Sequence, residues 1–320
     1  MNRPGETCRE DRMKIGFIGL GTMGAPMAKR LLAAGHVLRV CDVSSVAVSR
    51  FVDVPNCRIA SAPENAAQDA ECIITMLPES RHVREAVLGS QGAANTLPAG
   101  AIVMDMSTGH PEDLKSLALD LAPRKIAVMD APVGRSPKEA ATGDLLVMAG
   151  GKDADFERVR PVLASLGSDI IHVGPLGSGL KLKLINNYMS MIGMVMTAEV
   201  LNLARLLELD ITQVVDVLRQ TPAGQGQINT NFPKKVLSGD ISPDFPLRLG
   251  LKDIDLGLRL AQSAGAPTPL GSTAQQLFAL SIPWMRGDQD CTAMLHLLAD
   301  LSGPDKHPPP PGSTSEKGNG

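Results

Sequence analysis

Three glycines, at 19, 21 and 24, constrain this chain more than any other feature. They follow KIGFI, a β-branched and apolar run that reads as a buried strand. They open a stretch from Thr22 to Ala34 with helical periodicity, which stops at Gly35. A strand turns into a helix across Gly19-Leu20-Gly21-Thr22-Met23-Gly24. Gly19 allows the tight turn, and Gly21 lets the backbone approach a pyrophosphate. The free N–H groups of the helix N-terminus then favour a pyrophosphate. The next strand, VLRVC, ends at Asp42, whose carboxylate is placed to accept hydrogen bonds from ribose hydroxyls and to repel a 2′-phosphate. This is the dinucleotide-binding fingerprint in its required context, and it points to NAD (NADH) as cofactor. Arg39 precedes Asp42 and is badly placed to hold a 2′-phosphate.

The segments CIITML, AIVMDMS, KIAVMDAP, DLLVMAGG and DIIHVG repeat the apolar character of the first strand, with helical stretches such as SRHVREAVL and PEDLKSLALDLA between them. Strands apolar on both faces and alternating with helices imply an α/β fold, a Rossmann-type doubly wound parallel sheet. After Gly179 the pattern changes. One long, Met-rich, proline-free helical run extends from Leu180 to about Leu209 and is apolar nearly all round, so burial on most sides is expected. Further helices are expected at 211–220, 245–264, 267–282 and 288–301. The reading is a dinucleotide-binding domain over 13–177 and an all-α domain over 178–302, joined by the long helix, with disordered tails at 1–12 and 303–320.

Composition narrows the function classes. A net charge of -3 argues against a nucleic-acid binder. The cysteines Cys8, Cys41, Cys57, Cys72 and Cys291 show no C-x-x-C spacing, and no H-x-x-x-H pair occurs, so neither a disulfide framework nor a metal site is expected. The polar first twelve residues lack the apolar run of a secretory signal. The longest apolar stretch, Tyr188 to Ala198, is about half of a membrane span. A cytoplasmic protein without membrane or nucleic-acid partners is the expectation.

In GLKLKLINNYMS, Asn186 and Asn187 lie three and four residues beyond Lys183 and share its helix face. A lysine opening a mostly buried helix is costly unless it is hydrogen-bonded or functional. A dehydrogenase needs a proton donor for the oxygen as hydride reaches carbon, and a desolvated lysine serves. Periodicity alone favours a solvated helix-end lysine, the role expected of Lys181.

Five ordered segments, GLGTMGAPMA, DMSTGHP, DAPVGR with ATGDLLVMAGG, GSGLKLKLINN and LKDIDL, resemble the successive motifs of the β-hydroxyacid dehydrogenase family. The resemblance implies that Lys183 is the catalytic acid/base and that Asn187 orients it or the substrate. It implies that Thr108 and Lys252 lie at the nicotinamide and substrate, and that Met76-Leu77-Pro78 runs past the cofactor. It also implies homodimers or homotetramers packed through the helical domains. Read by itself, Lys252 beside Asp253 suggests a surface ion pair.

The family's substrate loop usually reads D-x-P-V-S-G-G, whereas this chain reads Asp130-Ala131-Pro132-Val133-Gly134-Arg135-Ser136. A guanidinium offers a fixed fork of donors to an oxyanion. Gly134 is expected to leave room for a tetrahedral group, with Ser136 and Asn186 adding donors. VGR, KLINNYMS, TPAGQGQ and KVLSGDISP resemble the branch of the family that acts on 3-sulfolactaldehyde. That branch uses NADH to form 2,3-dihydroxypropane-1-sulfonate in sulfoquinovose degradation. The expected partner is therefore a small anionic aldehyde or hydroxy-sulfonate. Carboxylate substrates (3-hydroxyisobutyrate, tartronate semialdehyde, succinic semialdehyde) remain compatible, since arginine binds carboxylates too. Lys183 argues against a non-catalytic dinucleotide-binding module on the same fold and against imine reduction.

Overall fold

The computed structural model describes residues 12–303, so the expected disordered tails lie outside the described residues, Arg12 and Gly303 apart. The chain divides into two compact units, one up to Met189 and one from Ser190. The boundary falls inside the long helix, beyond the expected border at 177–178.

The first unit holds nine strands: β1 (Lys14–Ile18), β2 (Val37–Cys41), β3 (Cys57–Ile59), β4 (Cys72–Thr75), β5 (Ile102–Asp105), β6 (Ala127–Asp130), β7 (Val133–Gly134), β8 (Leu145–Gly150) and β9 (Gly167–Gly174). Its helices are α1 (Gly24–Ala33), α2 (Ser45–Ser49), α3 (Pro63–Ala67), α4 (Ser80–Leu88), α5 (Pro111–Leu121), α6 (Pro137–Thr142) and α7 (Asp153–Leu166). The strands form one sheet in the order β3-β2-β1-β4-β5-β6-β8, with β7 and β9 also paired to β8. Strand residues alternate between two cores. Ile15, Phe17, Ile74 and Met104 face α1 and α7, while Ile18, Ile73 and Val103 face α3, α4 and α5. That two-sided burial is why these strands read as continuous apolar runs.

The sheet is not wholly parallel. β8 runs antiparallel to β6 and β7, and β9 is parallel to β8. Only the six-residue helix α6 separates β7 from β8, too little chain for a crossover to a parallel neighbour.

The long helix, α8 (Ser178–Leu206), carries the chain out of the first unit. The second unit continues with α9 (Ile211–Arg219), α10 (Pro222–Gln225), α11 (Asn231–Lys234), α12 (Leu247–Ser263), α13 (Pro269–Leu280) and α14 (Met294–Leu301). Glu199 on α8 accepts hydrogen bonds from the first amides of α13, Leu270 N at 3.0 Å and Gly271 N at 2.9 Å. Such a carboxylate satisfies donors that the helix itself cannot pair.

Two expectations about α8 need correction. Its 29 residues make it long and apolar enough to cross a membrane by length and composition, although the apolar stretch within it reads shorter in sequence. It is also not buried on most sides: Ile185, Tyr188, Met191, Met194, Val195 and Met196 are exposed. These side chains stay exposed among the described residues.

Candidate active site

The loops that follow β1, β4, β5 and β6 all leave the sheet at the carboxyl ends of parallel strands, where open α/β sheets bind ligands. The glycine loop divides its labour as a dinucleotide requires. A Cβ on Gly24 would stand 1.9 Å from the Gly19 carbonyl oxygen, so that position must stay bare for α1 to pack. A Cβ on Gly21 would meet nothing within 4 Å, because the loop is open there. Helix α1 starts without a side-chain cap or an acidic residue in its first turn, so nothing there repels an anion, although Ala25 N donates to the Gly21 carbonyl at 3.1 Å and Pro26 has no N–H. These features fit the pyrophosphate of NAD.

Asp42 stands at the tip of β2. Its Oδ2 accepts from Leu20 N at 2.5 Å and its Oδ1 from Ser44 N at 2.7 Å. The carboxylate therefore holds the glycine loop as well as facing a cavity of about 480 Å³, which Gly19, Leu77 and Pro78 also line.

The loops carrying Met76-Leu77-Pro78 and Thr108 hang from a buried network that sequence reasoning missed. Asp105 accepts from Thr75 Oγ1 at 2.8 Å and from Ser107 N at 3.0 Å. Ser107 Oγ in turn accepts from Leu77 N at 2.9 Å. Burial pushes the Asp105 carboxyl above its usual range, against the pull of the Ser107 and Thr75 hydrogen bonds. Thr108 follows directly and is exposed.

Asp130 is the second buried carboxylate, and it anchors α8. Its Oδ1 accepts from Gly177 N and its Oδ2 from Leu180 N, both at 2.7 Å. Burial again raises its pKa, against the two amides that favour the ionised form. The anchor lies one helical turn before Lys183. Lys183 is half-buried, and desolvation lowers its pKa from the ordinary lysine value. Lys181 is exposed. Asn186 donates from Nδ2 to Asn187 Oδ1 at 3.2 Å, so the two amides hold one another.

The structure departs from expectation in the substrate loop. Arg135 adopts φ +74°, and its guanidinium is engaged within its own unit. Nη1 donates to Ser168 Oγ at 2.8 Å and to the Asp144 carbonyl, and Nη2 pairs with Asp169. Ser136 is the N-cap of α6, in a reciprocal capping box with Glu139, so its hydroxyl serves the helix rather than a free anion. A Cβ on Gly134 would meet Leu146 at 3.4 Å, so the missing side chain faces strand β8 and not an open space. Lys252 lies on α12 in the second unit and pairs with Asp253 at 3.1 Å, both exposed. Among the described residues no group of three His, Cys, Asp or Glu could hold a metal ion. Cys41, Cys57, Cys72 and Cys291 are free. Burial raises the Cys41 thiol pKa, with the Asp42 charge adding to it, and pushes Cys57 and Cys291 to about 11 and Cys72 to about 12.

Comparison with known proteins agrees with this geometry. Residues 14–174 match the family described as the NAD binding domain of 6-phosphogluconate dehydrogenase. Residues 177–298 match that described as NAD-binding of NADP-dependent 3-hydroxyisobutyrate dehydrogenase. The chain is 43% identical to the 3-sulfolactaldehyde reductase of Escherichia coli strain K12 over 90% of its own length and 97% of the relative's. It is 35% identical to the 3-hydroxyisobutyrate dehydrogenase of Pseudomonas aeruginosa over 83% and 91%. Among solved structures, the Mycobacterium tuberculosis 3-hydroxyisobutyrate dehydrogenase with L-serine matches at TM-score 0.61 and 32% identity, covering 90% of this chain and 99% of that one. With the glycine cradle, the two-part match and relatives of this extent together, the chain belongs to the β-hydroxyacid dehydrogenases of the 3-hydroxyisobutyrate dehydrogenase type, NAD-dependent oxidoreductases acting on CH–OH groups.

Proposed function

We propose that this enzyme reduces 3-sulfolactaldehyde to 2,3-dihydroxypropane-1-sulfonate with NADH, as a step of sulfoquinovose degradation. The observation that carries the reading is the 43% identity to a 3-sulfolactaldehyde reductase across nearly both full lengths. Arg135, standing where the family's usual loop carries a glycine, supports it by adding a cation to the substrate loop.

In this reading the bound NADH supplies the hydride. Lys183 gives its proton to the aldehyde oxygen, and its half-buried site, which lowers its pKa, eases that release. Asn187 orients the lysine or the substrate, and Asn186 with the Gly134–Ser136 loop holds the anion. Thr108 and Lys252 flank the nicotinamide and substrate, with Met76, Leu77 and Pro78 along the cofactor. Leu20, Thr22 and Met23 complete the glycine cradle. Arg135 reaches the sulfonate by leaving Asp169. That exposed ion pair contributes at most about 1 kcal/mol. Arg135 also gives up its hydrogen bonds to Ser168 Oγ and the Asp144 carbonyl, and charge-assisted hydrogen bonds to the sulfonate take their place. The exposed apolar face of α8 packs against a second copy of the chain in a homodimer or homotetramer, and the protein works in the cytoplasm.

The test is kcat/KM with NADH for sulfolactaldehyde and for a carboxylate analogue of equal length, on the unmodified enzyme and on Arg135→Ala. One buried donor left unpaired by the planar carboxylate predicts roughly 10- to 100-fold preference for the sulfonate. Arg135→Ala erases most of that preference, mainly through KM. Equal efficiency toward both substrates in the unmodified enzyme overturns the sulfonate assignment and leaves the dehydrogenase chemistry standing.

A further inference from the structure

Asp130 joins two parts of the first unit through one residue. Its backbone ends β6 and opens the 130–136 loop, while its fully buried carboxylate accepts from Gly177 N and Leu180 N. Leu180 N is among the first amides of α8, for which the helix itself has no carbonyl. Most helices take that cap from an adjacent residue, whereas here it comes from 50 positions away in the chain. Glycines make room for it. A Cβ on Gly150 would stand 2.5 Å from Asp130 Oδ1, and one on Gly179 would stand 2.9 Å from Oδ2 and 2.0 Å from the Met148 carbonyl oxygen. Gly177 holds φ +90°, a conformation that favours glycine.

With its first turn pinned, α8 has a fixed rotation about its axis, and Lys183, three residues beyond Leu180, leaves it in a fixed direction. Proton transfer needs donor and acceptor within hydrogen-bond reach, and a misplacement of about 1 Å can cost on the order of 100-fold in rate. We propose that Asp130 is a positioning residue of the reaction, tying the loop that holds the substrate's anion to the helix that carries the proton donor. The inference rests on the reading of Lys183 as that donor and is independent of which aldehyde the enzyme reduces.

The experiment is a double-mutant cycle of Asp130→Asn with Lys183→Ala. Asparagine keeps the shape of the side chain but turns one acceptor oxygen into a donor, so one of the two amides loses its hold. kcat is measured at saturating NADH, with the aldehyde the unmodified enzyme reduces best and below the Tm of every variant, and NADH affinity is measured by calorimetry. Asp130→Asn should lower kcat about 10- to 100-fold and leave NADH affinity unchanged, since the glycine loop is untouched. On the Lys183→Ala background the same substitution should cost less than about threefold, because the group it positions is already gone. Gly177→Ala, which strains one amide and keeps the carboxylate, should give a smaller loss with the same dependence on Lys183, and it takes over if Asp130→Asn yields no folded protein. The proposal is overturned if the substituted enzyme keeps full kcat, if the loss is as large without Lys183 as with it, or if NADH binding weakens in parallel. Lys183→Ala with undiminished kcat instead removes the donor reading itself, and this proposal with it.

Discussion

Gly21 and Gly24 stand three residues apart in one loop, yet replacing them with alanine should damage different properties. At Gly24 the new Cβ would lie 1.9 Å from the Gly19 carbonyl oxygen and 3.2 Å from the Phe17 ring. Ordinary carbon–oxygen contacts are about 3.3 Å or longer, so α1 or the loop must shift by more than ~1 Å. Because the obstacle is backbone, the upper end of overpacking costs applies, about 3 kcal/mol. For a unit of this size that corresponds to a Tm loss of roughly 6–12 °C. At Gly21 nothing stands within 4 Å, so the fold should accept alanine with a Tm change of at most ~2 °C. The methyl group would instead occupy the space where the pyrophosphate approaches. NADH affinity should fall about 10- to 100-fold, equivalent to ~1.4–2.8 kcal/mol. Thermal unfolding of the cofactor-free proteins, followed by calorimetric NADH titration, measures both quantities. If Gly21→Ala destabilises the cofactor-free protein as Gly24→Ala does, or binds NADH with full affinity, the assignment of roles in the loop is wrong.

Lys183→Ala should lower kcat by on the order of 10²–10⁴ while Lys181→Ala stays near wild type, as measured by steady-state turnover at saturating NADH. With the Lys183 pKa lowered by burial, aldehyde reduction should decline as pH rises through that pKa, and alcohol oxidation should increase over the same interval. The sign is fixed by chemistry, since reduction needs the ammonium and oxidation the free amine. Asp130→Asn leaves one of two buried amides facing an N–H instead of an oxygen, which should destabilise the protein by about 2–4 kcal/mol in denaturant titration. Asp42→Ala removes the charge opposed to a 2′-phosphate, so the ratio of kcat/KM for NADH over NADPH should drop by roughly tenfold or more.

What was legible in the sequence follows from distance along the chain. β4 and β5 are buried at every residue, so their apolar runs announce strands directly. β7, two residues long and just beyond Pro132, is invisible to any periodicity. β8 carries the same apolar signature as its neighbours, and nothing in that signature encodes its reversed direction. Motif spacing marks the glycine loop and Asp42 because each depends on local chain geometry, whereas Lys183 stands out through the family resemblance and not through its periodicity. The sequence around Arg135 shows no partner for its guanidinium because Asp169 lies on another strand. Asp130 was read only as a motif position because its amides come from Gly177 and Leu180, at the far end of the unit's sequence. Ser136 was legible and overlooked: S-P-K-E at the start of a helix is a capping-box signal.

The cysteine thiols acquire a meaning under the proposal that the substrate is an aldehyde. Thiolates add to aldehyde carbons, and an enzyme that concentrates such an electrophile exposes its own cysteines to hemithioacetal formation. Nucleophilic addition requires the deprotonated sulfur. Cys41 borders the cofactor cavity, but burial and the adjacent Asp42 charge keep its proton on. Cys57, Cys72 and Cys291, with pKa values at about 11 or 12, hold their protons more firmly still. Burial and the Asp42 charge therefore shield the Cys41 sulfur from the aldehyde proposed as substrate.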